Sequence, residues 1–116
     1  MVFATPEYNH SIPGQLKNAL DWVSRPVDSN PMRGKPAAVL GASTGSFGAV
    51  WAQAELRKVL GAIGARVLDR DLPVAAAHAA FRDDGRLHDD QHHSTLEEIL
   101  GELAAEAQRD VERVAA

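Results

Sequence analysis

The chain has 116 residues, the length of one ordinary domain, and 45% of them are apolar, which is material for a core. A formal net charge of −4, no basic run and only six aromatic residues (two Trp, one Tyr, three Phe) exclude the electrostatic footprint that nucleic-acid binding requires. Cysteine is absent, so disulfides, thiolate metal sites and thiol redox chemistry are excluded, and any redox function must come from a bound cofactor.

The opening Met1-Val2-Phe3-Ala4-Thr5-Pro6 holds neither a charged leader nor an apolar stretch long enough for a signal peptide or a membrane span. A cytoplasmic location with no membrane partner is therefore expected. Val2, Phe3 and Ala4 read as the end of a strand, followed by a polar, proline-stiffened loop from Thr5 to Gly14. Pro13 stands where a helix can begin, because the first helical N–H has no partner inside the helix. Leu16, Ala19, Leu20 and Val23 recur at helical spacing, which predicts an amphipathic helix ending near Arg25-Pro26.

Three prolines between Ser24 and Pro36 predict a loop. Its Arg25, Arg33 and Lys35 have two readings, contacts to the phosphates of a nicotinamide cofactor or ordinary solvated charges, and the second is the commoner. Ala37-Ala38-Val39-Leu40 is a continuous apolar run that suits an interior strand covered on both faces. The turn Gly41-Ala42-Ser43-Thr44-Gly45-Ser46-Phe47-Gly48 follows, then a helix carrying Leu56, Val59, Leu60 and Ile63 on one side. Strand, glycine-rich turn and helix can aim free N–H groups at an electronegative ligand, and equally can make a tight connection. The turn fits neither the P-loop nor the dinucleotide fingerprint.

Gly64 to Leu68 predicts a short strand, so that strands and helices alternate as parallel pairing by right-handed crossovers demands. Leu72-Pro73-Val74 reads as extended and Ala75 to Ala80 as a helical turn or a partner contact. Asp84-Gly85 centres a small surface hairpin over Phe81 to Leu87. Ser94-Thr95-Leu96-Glu97 has the form of a capping box opening a terminal helix, with Leu96, Ile99, Leu100, Leu103, Ala107 and Val111 as its buried stripe. His88 and His92 stand four apart, but ahead of that box, where helical geometry is not expected, so no metal site is assigned. Trp22 and Trp51 are expected in packing or a subunit contact, His10 in solvent, and Tyr8 beside a flat ring. No nucleophile turn or carboxylate pair marks a catalytic residue.

From Pro6 to Trp22 the residues Pro-Glu-Tyr-Asn-His-Ser-Ile-Pro-Gly-Gln-Leu-Lys-Asn-Ala-Leu-Asp-Trp closely resemble the signature of the NAD(P)H-dependent FMN reductase family, a flavodoxin-like group that includes chromate- and quinone-reducing flavoproteins. Gly41 to Gly48 is similar to that family's turn after its fourth strand. The resemblance covers Pro6 to about Leu68 firmly and the rest loosely. It implies an α/β fold, a parallel sheet with flanking helices of which strands three to five are present, with the hairpin and a C-terminal helix. It also implies FMN and NAD(P)H as cofactors, with hydride passing to FMN and on to a small acceptor such as a quinone or another flavin. Pro6, Glu7, Tyr8 and Asn9 would meet the isoalloxazine, and Ser43, Thr44 and Gly45 would close its other side.

The flavodoxin-like sheet has the order 2-1-3-4-5, and this chain starts at what corresponds to strand three. The expectation is one domain over residues 1–116, truncated at its N-terminus, with the phosphate-binding turn of the family missing. Such a chain has a hydrophobic edge strand, so a homodimer or homotetramer is expected. It should bind FMN much more weakly than a full family member. The alternative is a non-catalytic remnant that folds by oligomerisation or with a partner chain.

Overall fold

The structure is a computed structural model that describes residues 1–116. The first strand, β1 (Val2–Thr5), leads through the polar loop into helix α1 (Gly14–Val23), and a connection containing one 3-10 turn returns to β2 (Pro36–Ala42). Helix α2 (Val50–Ala62) follows, then the two-residue strands β3 (Arg66–Val67) and β4 (Pro73–Val74), the short helix α3 (Ala77–Ala80) and the terminal helix α4 (Asp90–Ala115). All strand pairs are parallel. β2 is central: β1 pairs along one side, while β3 pairs with its start and β4 with its end. Because β3 meets Pro36 and Ala37 and β4 meets Gly41 and Ala42, the two make one interrupted strand along the second side.

Period-two alternation in β2 assigns its residues to two cores. Ala37 and Val39 join Leu20 of α1 and Leu56 and Leu60 of α2 on one face, and Ala38 joins Leu72, Val74, Ile99 and Leu103 under α4 on the other. This is the double covering predicted from the apolar run of residues 37–40. Gly41 sits where α2 crosses the sheet, and a Cβ there would lie 2.9 Å from the Gln53 amide and 3.1 Å from the Thr5 carbonyl oxygen. The connection between α1 and β2 is organised by Asn30, whose side chain accepts from the N–H groups of Met32 and Arg33 and donates to the carbonyls of Val27 and Ile63.

Several expectations change. Helix α4 begins at Asp90, not at Ser94: the Asp89 carboxylate accepts from the N–H groups of Gln91 at 2.8 Å and His92 at 3.4 Å, so Ser94 and Glu97 lie inside the helix and form no capping box. His92 is consequently helical, and no three His, Asp or Glu side chains are grouped to hold a metal ion. Only Ile99 and Leu103 of the expected stripe are buried; Leu96 is half-buried, and Leu100, Ala107 and Val111 are exposed. In α1, Ala19 is exposed while Leu20 is buried. The hairpin over 81–87 is present, but only Gly85 has positive φ, at +81°, so it closes by a three-residue turn, not by two left-handed central residues.

Ion pairs also hold α4, from Glu98 to Asp110. Arg66 of β3 hydrogen-bonds Asp110 at 2.8 Å and Glu106 at 3.3 Å, and Arg70 pairs with Glu98 and Glu102. The radius of gyration, 15.2 Å, exceeds the roughly 13 Å of a compact chain this long because 26-residue α4 runs beyond the sheet. No helix is long and apolar enough to cross a membrane.

The Arg66 hydrogen bond, reinforced by its charge, holds the Asp110 carboxyl below the ordinary carboxylate range. A depressed folded-state pKa contributes stability that is full above the unfolded value, about 3.9, and is lost as pH falls through the lower folded value. Acidification below about pH 4 is therefore expected to loosen the C-terminal turns of α4, with faster amide exchange between Glu106 and Arg113. The acid step should be absent in Arg66→Met.

Candidate functional site

In parallel α/β sheets the loops leaving the carboxyl ends of the strands form the ligand crevice. β1 and β2 are paired with Thr5 opposite Gly41, so the loop that starts at Pro6 and the loop that starts at Ser43 leave the sheet side by side. The structure thus brings together the two groups of site residues expected from the sequence, Pro6 to Asn9 and Ser43 to Gly45. Apart from the half-buried Glu7 and Ser43, these residues are exposed.

The first loop owes its shape to a tight reversal. Tyr8 and Ser11 exchange backbone hydrogen bonds at 2.9 and 3.1 Å, and the two residues between them, Asn9 and His10, have φ of +53° and +61°. Positive φ at both central positions is the pattern of a type I′ turn, and asparagine is among the few side chains that tolerate it. The N–H groups of Glu7, Asn9 and His10 donate to no acceptor in the chain. Tyr8, 56% exposed, stands free beside them.

The second loop is tied to the segment after β4. Ser43 N–H donates to the Val74 carbonyl at 2.9 Å, Ala77 N–H to the Ser43 carbonyl at 2.9 Å, and Ala76 N–H to the Gly45 carbonyl at 3.1 Å. Ser43 Oγ accepts from Gly45 N–H at 3.1 Å, while the N–H groups of Thr44 and Ser46 have no acceptor in the chain. Gly48 and Ala49, both with positive φ, then turn the chain into α2.

Two residues outside the expected set hold this arrangement. Gln53 is fully buried; its amide donates to the carbonyls of Gly48 at 3.0 Å and Leu72 at 3.2 Å, and its oxygen accepts from Leu72 N–H at 3.1 Å. A sequence signal for it existed: a polar residue three before Leu56 and seven before Leu60 lies on the apolar stripe of its helix. The second is His10, which faces solvent as expected, its side chain 74% exposed, and which also touches α2 with its ring edge. Its ring stands edge-on to Trp51 at 4.5 Å, Trp51 meets Phe47 at 5.0 Å, and His10 Nδ1 lies 3.9 Å from the Glu7 carboxylate. Trp51 is thus a packing residue between the loops, whereas Trp22 has no such neighbour and is 77% exposed.

The Glu7 side chain turns inward, 13% exposed, and its carboxylate accepts the Ala52 N–H in the first turn of α2 at 3.0 Å. Arg25, Arg33 and Lys35 lie between α1 and β2, ahead of the β2 N-terminus and so at the opposite end of the sheet from both loops. Arg25 hydrogen-bonds Ser24 and Arg33 the Val27 carbonyl, which supports the solvated-charge reading.

Below the loops, on the α4 side of the sheet, is an apolar cavity of about 340 Å³ lined by Ala4, Pro6, Leu40, Ala42, Val74 and Leu96, with Phe81 and Leu87 of the hairpin at its edge. Neither loop contains Lys or Arg. The site therefore offers backbone N–H donors, one free aromatic ring and an apolar floor: it suits the carbonyl-bearing edge of a flat aromatic ligand and provides no cation for a phosphate.

The family model for NADPH-dependent FMN reductase matches residues 1–79. An NAD(P)H-dependent FMN reductase of Pseudomonas aeruginosa is 45% identical over 104 residues, covering 89% of this chain and 56% of that protein. A quinone reductase of Escherichia coli is 44% identical over 70 residues, 60% of this chain and 37% of its own length. Among solved structures, the flavoenzyme FerB, an NAD(P)H:(acceptor) oxidoreductase from Paracoccus denitrificans, superposes with a TM-score of 0.69 at 40% identity, covering 92% of this chain and 58% of that one. The chain spans about half the length of the curated relatives it matches.

Proposed function

Since the chain belongs to the NADPH-dependent FMN reductase family, we propose that its two loops hold the ring edge of an FMN and that it works as a flavin-dependent oxidoreductase. Hydride would come from NAD(P)H, and a small molecule such as a quinone or a free flavin would accept the electrons. A bound flavin supplies the hydride chemistry itself, which is why no catalytic side chain is needed in either loop. The observation that carries this reading is the juxtaposition of unclaimed N–H groups on both loops, Glu7, Asn9 and His10 on one and Thr44 and Ser46 on the other.

In this reading the backbone of Pro6, Glu7 and Asn9 receives the polar ring edge, Tyr8 contacts the ring, and Ser43, Thr44 and Gly45 bound its other side. Ring contact to Tyr8 contributes on the order of 1 kcal/mol. The small acceptor follows from the chemistry of a ring left open on one face, and the quinone reductase among the relatives supports it. Without a cation in the loops, FMN binding to this chain should be weak.

The test is NAD(P)H oxidation by the purified chain with added FMN and a quinone. The expected result is a rate that requires chain, FMN and nicotinamide together, and that falls in Tyr8→Ala. A folded preparation no faster than FMN alone would count against the reading.

A second reading is favoured by the outer side of β1, whose backbone has no strand partner. Unpaired strand edges recruit other chains, and here the edge residues Val2 and Ala4 are exposed and uncharged. In that reading the chain assembles, as a homodimer or homotetramer or with a partner chain, and is not catalytic alone. Light scattering with the activity assay separates them: a monomer at all concentrations removes the self-assembled form, and flavin-dependent turnover by that monomer removes the second reading altogether.

A further inference from the structure

Helix α2 begins without a cap of its own. The residue at its N-cap position, Ala49, has left-handed backbone geometry and no side-chain hydrogen bond to offer; Val50 N–H donates to the Phe47 carbonyl at 3.2 Å, and Ala52 N–H depends on a partner from elsewhere. That partner is Glu7, 45 residues away in sequence. An acidic side chain at this point also meets the positive end of the helix dipole. We propose that Glu7 is a positioning residue: its carboxylate caps α2 from the neighbouring loop and so fixes the separation of the two loops that receive the ring.

Three observations converge on it. The carboxylate accepts from Ala52 N–H at 3.0 Å and is largely shielded from solvent. The His10 ring on the same turn has its Nδ1 3.9 Å from that carboxylate and packs edge-on against Trp51 of α2. Gln53, the residue after Ala52, bonds the Gly48 carbonyl, so a displacement of the first turn of α2 is passed to the end of the Ser43 loop. The carboxylate is thereby engaged within the protein, and the loop meets its ligand through backbone groups. The inference deepens the flavin reading and rests on it for its functional consequence, but the cap itself is measured without flavin.

Amide exchange followed by NMR on the flavin-free chain, in wild type, Glu7→Gln and Glu7→Met, is the experiment. Gln keeps an acceptor oxygen; Met keeps the bulk and loses it. The expected result in Glu7→Met is exchange about tenfold faster at Ala52, Tyr8 and Ser11, with Leu20 in α1 unchanged, and near wild-type rates in Glu7→Gln. If Glu7→Met fails to fold while Glu7→Gln folds, the acceptor is again what matters and the proposal stands. If Glu7→Met exchanges like wild type, or neither variant folds, it is overturned. With FMN then added, wild-type loop amides that do not respond defeat the flavin reading alone. Loop amides that respond equally in wild type and Glu7→Met defeat the positioning role alone.

Discussion

Gly48→Ala is expected to destabilise the fold by roughly 3 to 5 kcal/mol, read as a fall in the denaturation midpoint. Two costs add. Gly48 has φ of +58°, and an L side chain in that region costs about 1 to 2 kcal/mol. Its new Cβ would also stand 2.5 Å from the carbonyl carbon of Pro73 and 2.7 Å from the nitrogen of Val74, both main chain, so no flexible side chain can give way. Either the loop after β2 lifts or β4 leaves β2, and both undo the Ser43 turn. Gly45→Ala is the control: nothing lies nearer to an added Cβ than Ser43 Oγ at 3.5 Å, so a change within about 0.5 kcal/mol is expected. Equal effects of the two would show that the contact with Pro73 does not limit the loop.

Gln53→Met is expected to cost roughly 2 to 4 kcal/mol. Volume is nearly kept, so the loss is polar. Leu72 N–H and the Gly48 carbonyl would be left buried without partners, at about 1 to 3 kcal/mol each when fully orphaned. The Leu72 carbonyl suffers less because Gly41 N–H still donates to it at 3.4 Å. The same substitution should speed amide exchange at Ser43 and Ala77, whose bonds depend on β4 staying where Gln53 holds it. A variant as stable as wild type would mean that water replaces the side chain at that buried position.

Much of this arrangement was legible in the amino-acid sequence because it is local. The apolar run at residues 37–40 between a proline and a glycine fixed a covered strand, and Leu56, Val59 and Leu60 fixed the helix that covers one side. The loop from Pro6 to Gly14 was readable because its residues also make a long ungapped resemblance, and the structure sets it beside the Ser43 turn, as the parallel pairing of β1 and β2 requires.

What escaped has physical reasons. The cap that Glu7 places on α2 joins residues far apart in sequence, and no local pattern announces it. The start of α4 is ambiguous in sequence because two capping signals stand in series. Asp89 takes the first N–H groups, nothing between Asp90 and His93 breaks the helix, and Ser94 with Glu97 also fits a helix interior. The buried stripe of α4 is shorter than its apolar spacing because spacing says which side an apolar residue is on, not whether anything lies opposite. Past Leu103 the helix meets Arg66 instead of a core. His10 faces solvent as its loop position implies, and only its edge contact with Trp51, which comes from the next crossover, has no local signal.

In the proposed function the backbone from Glu7 to Ser11 and from Ser43 to Phe47 forms one edge for a flavin ring. Titrating the chain with FMN while following amide chemical shifts addresses it most directly. Saturable shifts are expected, concentrated at Glu7, Asn9, His10, Thr44 and Ser46, with Arg25, Arg33 and Lys35 unmoved. Shifts confined to the far end of the sheet, or none at either loop in the folded chain, would contradict it.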